Sequence, residues 1–269
     1  MFQALQAKLL QHKYAIDSAM LGDANPLAWS NLGLWQLGDS YPQACQNLAQ
    51  HLAQQVQLSS HDHVLDLACG QGASLALWHH HYHVQSIHAV ELQATLVEQV
   101  KCHAPFLSSI QCGSFLNLPT HPKRHYDVVL CIDAAYHVNV LDFLRSVQQV
   151  AQAHTRLGFH TLIFSPQYAK LNSLQQQQYR YLLKAADVDL HHLSDAAELE
   201  RTMSQHGLCK IEIQDLSAQV LQGFADYAEQ AAPRLKGIDG FKIKMTAKLC
   251  RKLFDDGLIR YVAVTGQFN

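Results

Sequence analysis

The sequence predicts an α/β protein built on a parallel sheet, and three features carry that prediction. Strand and helix patterns alternate from about residue 63 onward, which is typical of βαβ units. Residues 64–74 (VLDLACGQGAS) join a short apolar run to a helical pattern through a turn with two glycines. The next strand pattern ends at an acid, Glu91, about twenty residues beyond that turn. These features predict a ligand crevice at the carboxyl ends of the first two strands.

The segment ahead of the sheet is expected to be helical. Residues 1–22 have apolar side chains at helical spacing and predict one or two short helices. An aromatic-rich stretch, 29–35, follows the breaker Asn25–Pro26. Its Trp35 is equally compatible with lining a pocket and with filling the core. Residues 41–56 form an amphipathic pattern and predict the helix that precedes the first strand.

We expect one domain, with an N-terminal helical cap over 1–56, a ligand-binding core over 63–165, and the rest of the sheet with helical insertions over 166–269. Ser194 is the expected N-cap of a late helix that ends near Gly207. The expected elements are strand 63–68, helix 72–81, strand 84–90, helix 93–103, strand 107–112, strand 126–132, helix 140–153, strand 159–165, helix 171–186, helix 194–205, strand 208–216, a helical stretch 217–256 broken near Pro233 and Gly237–Gly240, and strand 259–265.

Composition excludes several classes of partner. The 269 residues carry 20 Lys and Arg against 22 Asp and Glu, with no block of basic residues, so we expect no nucleic-acid partner. The locally basic run 234–252 is interpreted as a solvated helix face. No signal peptide and no run of membrane-spanning length is apparent, so a cytoplasmic location without a membrane partner is expected. Seven scattered cysteines without a C-x-x-C pair favour reduced thiols.

A histidine cluster at 79–83 raises the question of a metal site. His79 and His83 lie one turn apart in a helical pattern, but no acidic or cysteine partner is near them in sequence. Zinc needs a third or fourth ligand, and a helix is expected to end here, where imidazolium complements the helix dipole. We therefore expect no metal site.

The spacing of the first motif points to a family. Asp66, Ala68, Gly70 and Gly72 form D-x-A-x-G-x-G, which resembles the first motif of the class I S-adenosylmethionine-dependent methyltransferases; many members have glycine in place of Ala68. The strand-four sequence YDVV at 126–129 and the AYH that follows resemble small-molecule members, as does NLGLW at 31–35. The resemblance implies a Rossmann-like methyltransferase fold, with a seven-stranded mostly parallel sheet, an antiparallel last strand and helices on both faces. It also implies S-adenosyl-L-methionine as the cofactor.

The expected cofactor residues lie at successive strand ends. Glu91, followed by Leu92, is placed to accept hydrogen bonds from both ribose hydroxyls. Ser114 stands where family members often have an acid for the adenine amino group, and Phe115 could pack on the adenine or belong to the core. Asp66 is expected near the methionine amino end or holding the glycine turn through backbone N–H groups. Asp133, at the end of strand four, completes the expected cofactor set.

Two residues after strand four are candidates for catalysis. An unperturbed histidine side chain has a pKa of about 6.5, so a histidine at position 137 could take a proton from an acceptor near neutral pH. Tyr136 could position the acceptor or contact the sulfonium through its ring. The structural alternative is that His137 caps the next helix and Tyr136 fills a gap.

The predicted function is methyl transfer to a small molecule by direct displacement, with homo-oligomer formation left open. The prolines of the enzymes that methylate nucleic-acid bases are absent, since Ala134 and Ala135 replace them. One alternative is a catalytically inactive, adenosylmethionine-binding regulatory subunit. A nicotinamide-dependent oxidoreductase is a second alternative, but Gly70-Gln71-Gly72-Ala73-Ser74-Leu75 lacks the last small residue of G-x-G-x-x-G, and no Tyr-x-x-x-Lys pair is present.

Overall fold

A computed structural model describes residues 17–118, 125–184 and 186–269. Within these ranges seven strands form one sheet. They are β1 (His63–Leu67), β2 (Ser86–Glu91), β3 (Ser109–Cys112), β4 (Val128–Cys131), β5 (Arg156–Phe164), β6 (Leu208–Asp215) and β7 (Ile259–Phe268).

The strand order across the sheet is β3-β2-β1-β4-β5-β7-β6. The first five strands pair in parallel, whereas β7 runs antiparallel between β5 and β6. The order reverses between β1 and β4, and such a reversal opens a crevice at the carboxyl ends of the strands. This topology confirms the predicted fold class.

The helices pack around this sheet. They are α1 (Tyr41–Gln55), α2 (Ala73–His80), α3 (Ala94–His103), α4 (Val140–Gln148), α5 (Ser173–Lys184), α6 (Ala196–Gln205), α7 (Gly223–Ala231) and α8 (Gly237–Asp256). Short 3-10 turns include Ser18–Leu21 and Ala135–His137, and one π-turn, Ala218–Gln222, leads into α7. No helix in the described ranges has the length and apolar character needed to cross a bilayer.

Several element boundaries differ from the sequence expectation. The predicted helix 140–153 ends at Gln148, because the chain turns before β5 and His154 takes a φ of +73°. Strand β5 begins at Arg156, whereas the sequence predicted a start at 159. The prediction was late because Gly158 interrupts the apolar pattern; in the structure, the absence of a side chain at Gly158 leaves room for side chains of α1. The helices predicted over 1–22 lie mostly outside the described residues, apart from the 3-10 turn.

The predicted N-cap of α6 was wrong by one residue. The side chain of Asp195, not that of Ser194, accepts a hydrogen bond from the Glu198 backbone N–H at 2.8 Å. Both residue types are good caps, so local chemistry alone does not separate them. Ser194 is instead buried, and its carbonyl accepts from the N–H of Phe164 at 2.9 Å.

Buried apolar side chains form two clusters on the two faces of the sheet, as the strand alternation requires. Val64 belongs to the cluster that holds α1, α2, α7 and α8, with Trp78 and Phe224 fully buried. Leu65 belongs to the cluster that holds α4 and α6, where Phe143 is fully buried. Both clusters fix the strand ends that frame the crevice.

The histidine cluster lies at the end of α2, as predicted. The His79 ring stacks on Phe106, with centroids 4.3 Å apart and planes 4° from parallel. Across the described part of the chain, no three His, Cys, Asp or Glu side chains are grouped to hold a metal ion.

Candidate functional site

A cavity of about 1120 Å³ lies at the carboxyl edge of the sheet. One half is lined by the turns that follow β1, β2, β3 and β4 and by the N-terminal segment, and the other half is closed by α5 and α8. Ligand pockets commonly measure roughly 300–1000 Å³, so this cavity has room for more than one small molecule. Of the eleven predicted site residues, ten line it, namely Asp66, Ala68, Gly70, Glu91, Leu92, Ser114, Phe115, Asp133, Tyr136 and His137.

The glycine turn is shaped by three residues with positive φ, at Ala68 (+58°), Gly70 (+56°) and Gly72 (+89°). A Cβ on Gly70 would come within 2.7 Å of the Ser30 hydroxyl, so only glycine fits there. Gly72 does not line the cavity; a Cβ there would meet Val100 at 3.0 Å. Gly72 therefore serves the turn and its packing against α3.

Glu91 holds this turn from the neighbouring strand. Its Oε2 accepts a hydrogen bond from the Gly70 N–H at 3.0 Å, and its Oε1 accepts from the Gln93 N–H at 2.8 Å. The side chain is buried, and desolvation raises its pKa although these N–H groups lower it. Each carboxylate oxygen can accept a further hydrogen bond. The carboxylate is thus oriented at the cavity wall with capacity for two hydroxyl donors.

Asp66 lies at the end of β1 and is fully buried against α2. Its carboxylate accepts from the Trp78 indole N–H at 2.6 Å and from the side chain of Ser74. Burial raises the pKa of Asp66 to about 6, against the lowering effect of these donors. It does not hold the glycine turn through Gly70, whose N–H points to Glu91. The indole bond had no signature in sequence, because Trp78 fits an ordinary apolar helix position.

Three residues after β2 and β3 provide a mixed apolar and polar wall. Leu92 is 57% exposed although it follows a buried strand, so its side chain offers an apolar face to the cavity. The Ser114 hydroxyl accepts from the Leu116 N–H at 3.2 Å. Phe115 packs edge-on against Phe143 at 5.7 Å between centroids and also lines the cavity. Its two predicted roles, core and pocket wall, are thus compatible.

Asp133 connects three parts of the chain at the centre of the cavity wall. One oxygen accepts from the Leu32 backbone N–H at 2.7 Å. The other accepts from the hydroxyls of Tyr136 and Tyr261, each at 2.9 Å. Burial raises the pKa of Asp133 to about 6, while the three donors lower it. Its backbone φ of +54° is unusual for a non-glycine residue.

Tyr136 and His137 lie in the short turn after β4, with ring centroids 4.5 Å apart. Burial raises the pKa of Tyr136 well above its ordinary value, so its hydroxyl stays protonated and donates to Asp133. The Nδ1 of His137 lies 3.1 Å from the backbone carbonyl of Asp187. A carbonyl only accepts, so Nδ1 carries the proton, and a neutral ring has its lone pair on Nε2.

The N-terminal segment supplies residues that the sequence analysis did not assign to the site. Asp23 is buried and accepts from the Trp29 N–H at 2.7 Å and the Asn25 side chain at 2.6 Å. The Gln71 side chain donates to the Ser18 hydroxyl at 2.8 Å. The Asp-x-Asn-Pro pattern signalled a turn there. The contacts with the glycine turn had no local signal.

The two tryptophans of this segment differ in role. Trp29 lines the cavity, whereas Trp35 stacks on Tyr227 with centroids 4.4 Å apart and donates from its indole to the Leu32 carbonyl at 2.8 Å. Of the two interpretations of Trp35, the structure supports the packing role. The basic run on α8 is also not wholly a solvated face, because Lys242, Lys248 and Lys252 line the cavity.

Comparison with known proteins agrees with this geometry. Residues 64–158 match the family model described as a methyltransferase domain. A geranyl diphosphate C-methyltransferase from Streptomyces coelicolor A3(2), solved with S-adenosyl-L-homocysteine, superposes with a TM-score of 0.70 at 16% identity, covering 96% of this chain and 98% of that one. A mycolic acid cyclopropane synthase gives 0.75 at 14% identity, covering 97% and 98%. A [4+2]-cyclase gives 0.72 at 16%, covering 97% and 96%.

Residues 64–158 therefore match a methyltransferase domain, and the fold around them is the one that the structural neighbours have. The matched residues run from β1 into β5 and include the glycine turn, Glu91 and Asp133. The structural neighbours cover 96% and 97% of this chain, so the similarity in fold extends beyond the matched residues.

Proposed function

We propose that the chain transfers a methyl group from S-adenosyl-L-methionine to a small molecule by direct displacement. The observation that carries this proposal is the continuity of one cavity, which joins the Gly70–Glu91 crevice to an apolar compartment under α5 and α8. A donor and an acceptor can lie side by side there without leaving the protein. Holding both reactants converts an encounter in solution into a local one.

The residues of the crevice fit this cofactor. The two oxygens of Glu91 suit the two neighbouring ribose hydroxyls, and the turn at Gly70 lets a ligand approach the backbone. Leu92 and Phe115 offer apolar surface for a purine ring, with Ser114 as a polar neighbour. When bound, the cofactor supplies an electrophilic methyl group on a sulfonium.

The protein itself positions the two reactants, limits the access of water to them and provides electrostatic stabilisation. The segment 29–32 lines one side of the cavity and is tied to Asp133 through Leu32, and a wall of this kind limits the access of water to the reactants. The Tyr136 ring faces the cavity, and an aromatic ring attracts a nearby cation. Nε2 of His137 is the atom that would accept a proton from the attacking group, since Nδ1 donates to Asp187.

The neighbours favour an apolar acceptor. One is named for geranyl diphosphate and another for mycolic acid, both molecules with a large apolar part. The compartment beside α5 and α8 has walls of the matching kind, including Leu183, Val188 and Leu253. The [4+2]-cyclase shows that a protein with this fold can be named for another reaction. A binding-only regulatory role is the remaining alternative.

A transfer assay tests the proposal. We expect the chain to bind adenosylmethionine in calorimetry and to move a radiolabelled methyl group onto at least one member of a panel of amines, phenols, carboxylates and isoprenoid or fatty compounds. Equimolar release of adenosylhomocysteine should accompany the label. Cofactor binding without transfer to any member would count against catalysis and favour the regulatory alternative. The Glu91→Ala variant, which should lose both signals, controls for adventitious label.

A further inference from the structure

The second half of the cavity has walls that suit an apolar chain. Helices α5 and α8 and the turn between α5 and α6 supply Leu182, Leu183, Val188, Met245, Leu249 and Leu253. Leu183, Val188 and Leu253 are buried, whereas Met245 on α8 is 47% exposed and Phe241 one turn before it is 63% exposed. The apolar lining therefore extends from the interior to the mouth of the cavity. Exposed aromatic and thioether side chains at the mouth of a cavity indicate that an apolar ligand binds there.

The same helix brings positive charge to this mouth. Residues 234–252 contain seven Lys or Arg and one Asp, in a chain whose acids outnumber its bases. Three of these lysines line the cavity. Lys242 pairs with Asp239 at 3.0 Å, and Lys252 pairs with Asp256 at 2.8 Å. Lys248 is exposed and forms no ion pair with any described carboxylate.

Among the residues that the structure describes, Lys248 is thus a cation without a counter-ion beside an apolar opening. It lies one turn from Met245 and two turns from Phe241 on the same helix face. One acid, Asp187, lines the compartment as well, on the stretch between α5 and α6 and not on α8. A ligand that satisfies both features needs an apolar body for the interior and a negative group at the mouth.

We propose that this half of the cavity binds an amphipathic anion, whose apolar chain lies between α5 and α8 and whose negative group pairs with Lys248. The assignment of this anion as the methyl acceptor rests on the proposed function, but its binding does not. A carboxylate and a phosphate would be recognised by the same ammonium group. Each buried methylene of the chain strengthens binding by up to roughly fourfold.

The test compares simple amphiphiles of equal chain length on the full protein. Decanoate, decyl phosphate, 1-decanol and decyltrimethylammonium are titrated calorimetrically below their micelle concentrations, with hexanoate as the short-chain control. We expect both anions to bind roughly fivefold more tightly than the alcohol, and the cation to bind more weakly than the alcohol. The preference should shrink with added salt. A stronger response to decyl phosphate than to decanoate would identify the phosphate class.

Matched variants separate the recognition of the negative head group from the binding of the alkyl chain of the amphiphile. Lys248→Glu should abolish the preference for anions, whereas Lys244→Glu, the same change on α8 at a residue outside the cavity lining, should keep it. Met245→Ser should weaken all decyl compounds alike. Equal binding of decanoate and decanol, or an unchanged preference in Lys248→Glu, would overturn the head assignment. Failure of every decyl compound to bind would overturn the whole inference.

Adenosylmethionine binding is measured in the same preparations. Amphiphile binding without cofactor binding would leave the inference standing and refute the proposed function. Cofactor binding without amphiphile binding would refute the inference and leave the proposed function standing.

Discussion

The carboxylate of Asp133 accepts a hydrogen bond from the backbone N–H of Leu32, 101 residues earlier in the chain, at 2.7 Å. This bond attaches the segment 29–35, whose residues 29–32 line one side of the cavity, to the end of strand β4. The other carboxylate oxygen is occupied by the hydroxyls of Tyr136 and Tyr261. One buried carboxylate therefore helps to position the segment, together with bonds to α1 such as that from the Leu34 N–H to the Ala44 carbonyl at 2.8 Å.

Replacing Asp133 with Asn should loosen this segment. An amide has one acceptor oxygen, so it can serve Leu32 or the two phenols in the native way, but not both. We expect the Leu32 amide to exchange hydrogen about fivefold faster or more, as the loss of one hydrogen bond implies. Hydrogen exchange measured by mass spectrometry checks this, with Asp142→Asn on the exposed side of α4 as the control. Unchanged exchange over 29–35 would mean that other contacts hold the segment.

The Glu91→Gln variant should bind adenosylmethionine about tenfold more weakly, or about 1.4 kcal/mol. The amide keeps the shape of the side chain but replaces one acceptor oxygen with a donor. That donor then faces either Gly70 N–H, Gln93 N–H or a ribose hydroxyl. Calorimetry on the folded variant gives the affinity, and Glu98→Gln, exposed on α3, is the matched control. Equal affinities of Glu91→Gln and the wild type would remove Glu91 from the cofactor site.

The sequence predicted those features of the site that depend on local pattern. The position of Glu91 follows from the distance between a glycine turn and the end of the next strand, both of which short-range periodicity indicates. The same holds for the placement of Asp133, Tyr136 and His137 after β4. The antiparallel β7 came from the family resemblance and is confirmed.

What the sequence did not predict depends on contacts between distant residues. The Asp133 bonds to Leu32 and Tyr261 join segments that no periodicity relates. Asp66 was expected near the methionine amino end of the cofactor or holding the glycine turn, and the bond from the Trp78 indole to its carboxylate arises from tertiary packing. The lysines of α8 look solvated in sequence, because helical spacing does not reveal which side of the helix meets a cavity.

The buried Asp66 should make stability depend on pH in an unusual direction. Its pKa is raised to about 6 in the folded protein, above the value of about 3.9 for an unfolded chain. The folded state then holds the proton more tightly, so the contribution to stability is full below about pH 4 and is lost as the pH rises through about 6.

The measurement is the difference in free energy of unfolding between wild type and Asp66→Asn. Relative to the variant, the wild type should lose roughly 1.4 kcal/mol of unfolding free energy per pH unit as the pH rises from 4.5 to 6. Urea unfolding at several pH values provides it, and subtracting the variant removes the other titrating groups. A flat difference would mean that Asp66 keeps an ordinary pKa in the folded state.

A side chain added at Gly223 should destabilise the fold, because a Cβ there would lie 2.5 Å from the Cβ of Trp35. Trp35 cannot easily yield, since it stacks on Tyr227 and its indole donates to Leu32. Alanine normally favours a helix over glycine by up to about 1 kcal/mol, but overpacking costs about 1–3 kcal/mol.

We therefore expect Gly223→Ala to lower the free energy of unfolding by about 1–2 kcal/mol, measured by urea unfolding. Gly113→Ala is the control, because its nearest neighbour to an added Cβ is a side-chain nitrogen at 3.8 Å. A stabilised Gly223→Ala would show that Trp35 moves at little cost, and that the segment before α1 is less tightly packed than its contacts indicate.

His137 distinguishes base catalysis from catalysis by proximity alone. With Nδ1 donating to the Asp187 carbonyl, Nε2 of a neutral ring can accept a proton from the methyl acceptor. Once an acceptor is identified, His137→Ala should lower turnover by roughly a hundredfold while cofactor affinity stays unchanged. His137→Gln can still donate to Asp187 but cannot act as a base, so it should be as slow as the alanine variant if proton transfer matters. If turnover falls in His137→Ala but recovers in His137→Gln, the role of His137 is to hold the turn before α6 rather than to act as a base. If turnover is near normal in both variants, proximity of the two reactants alone accounts for the reaction.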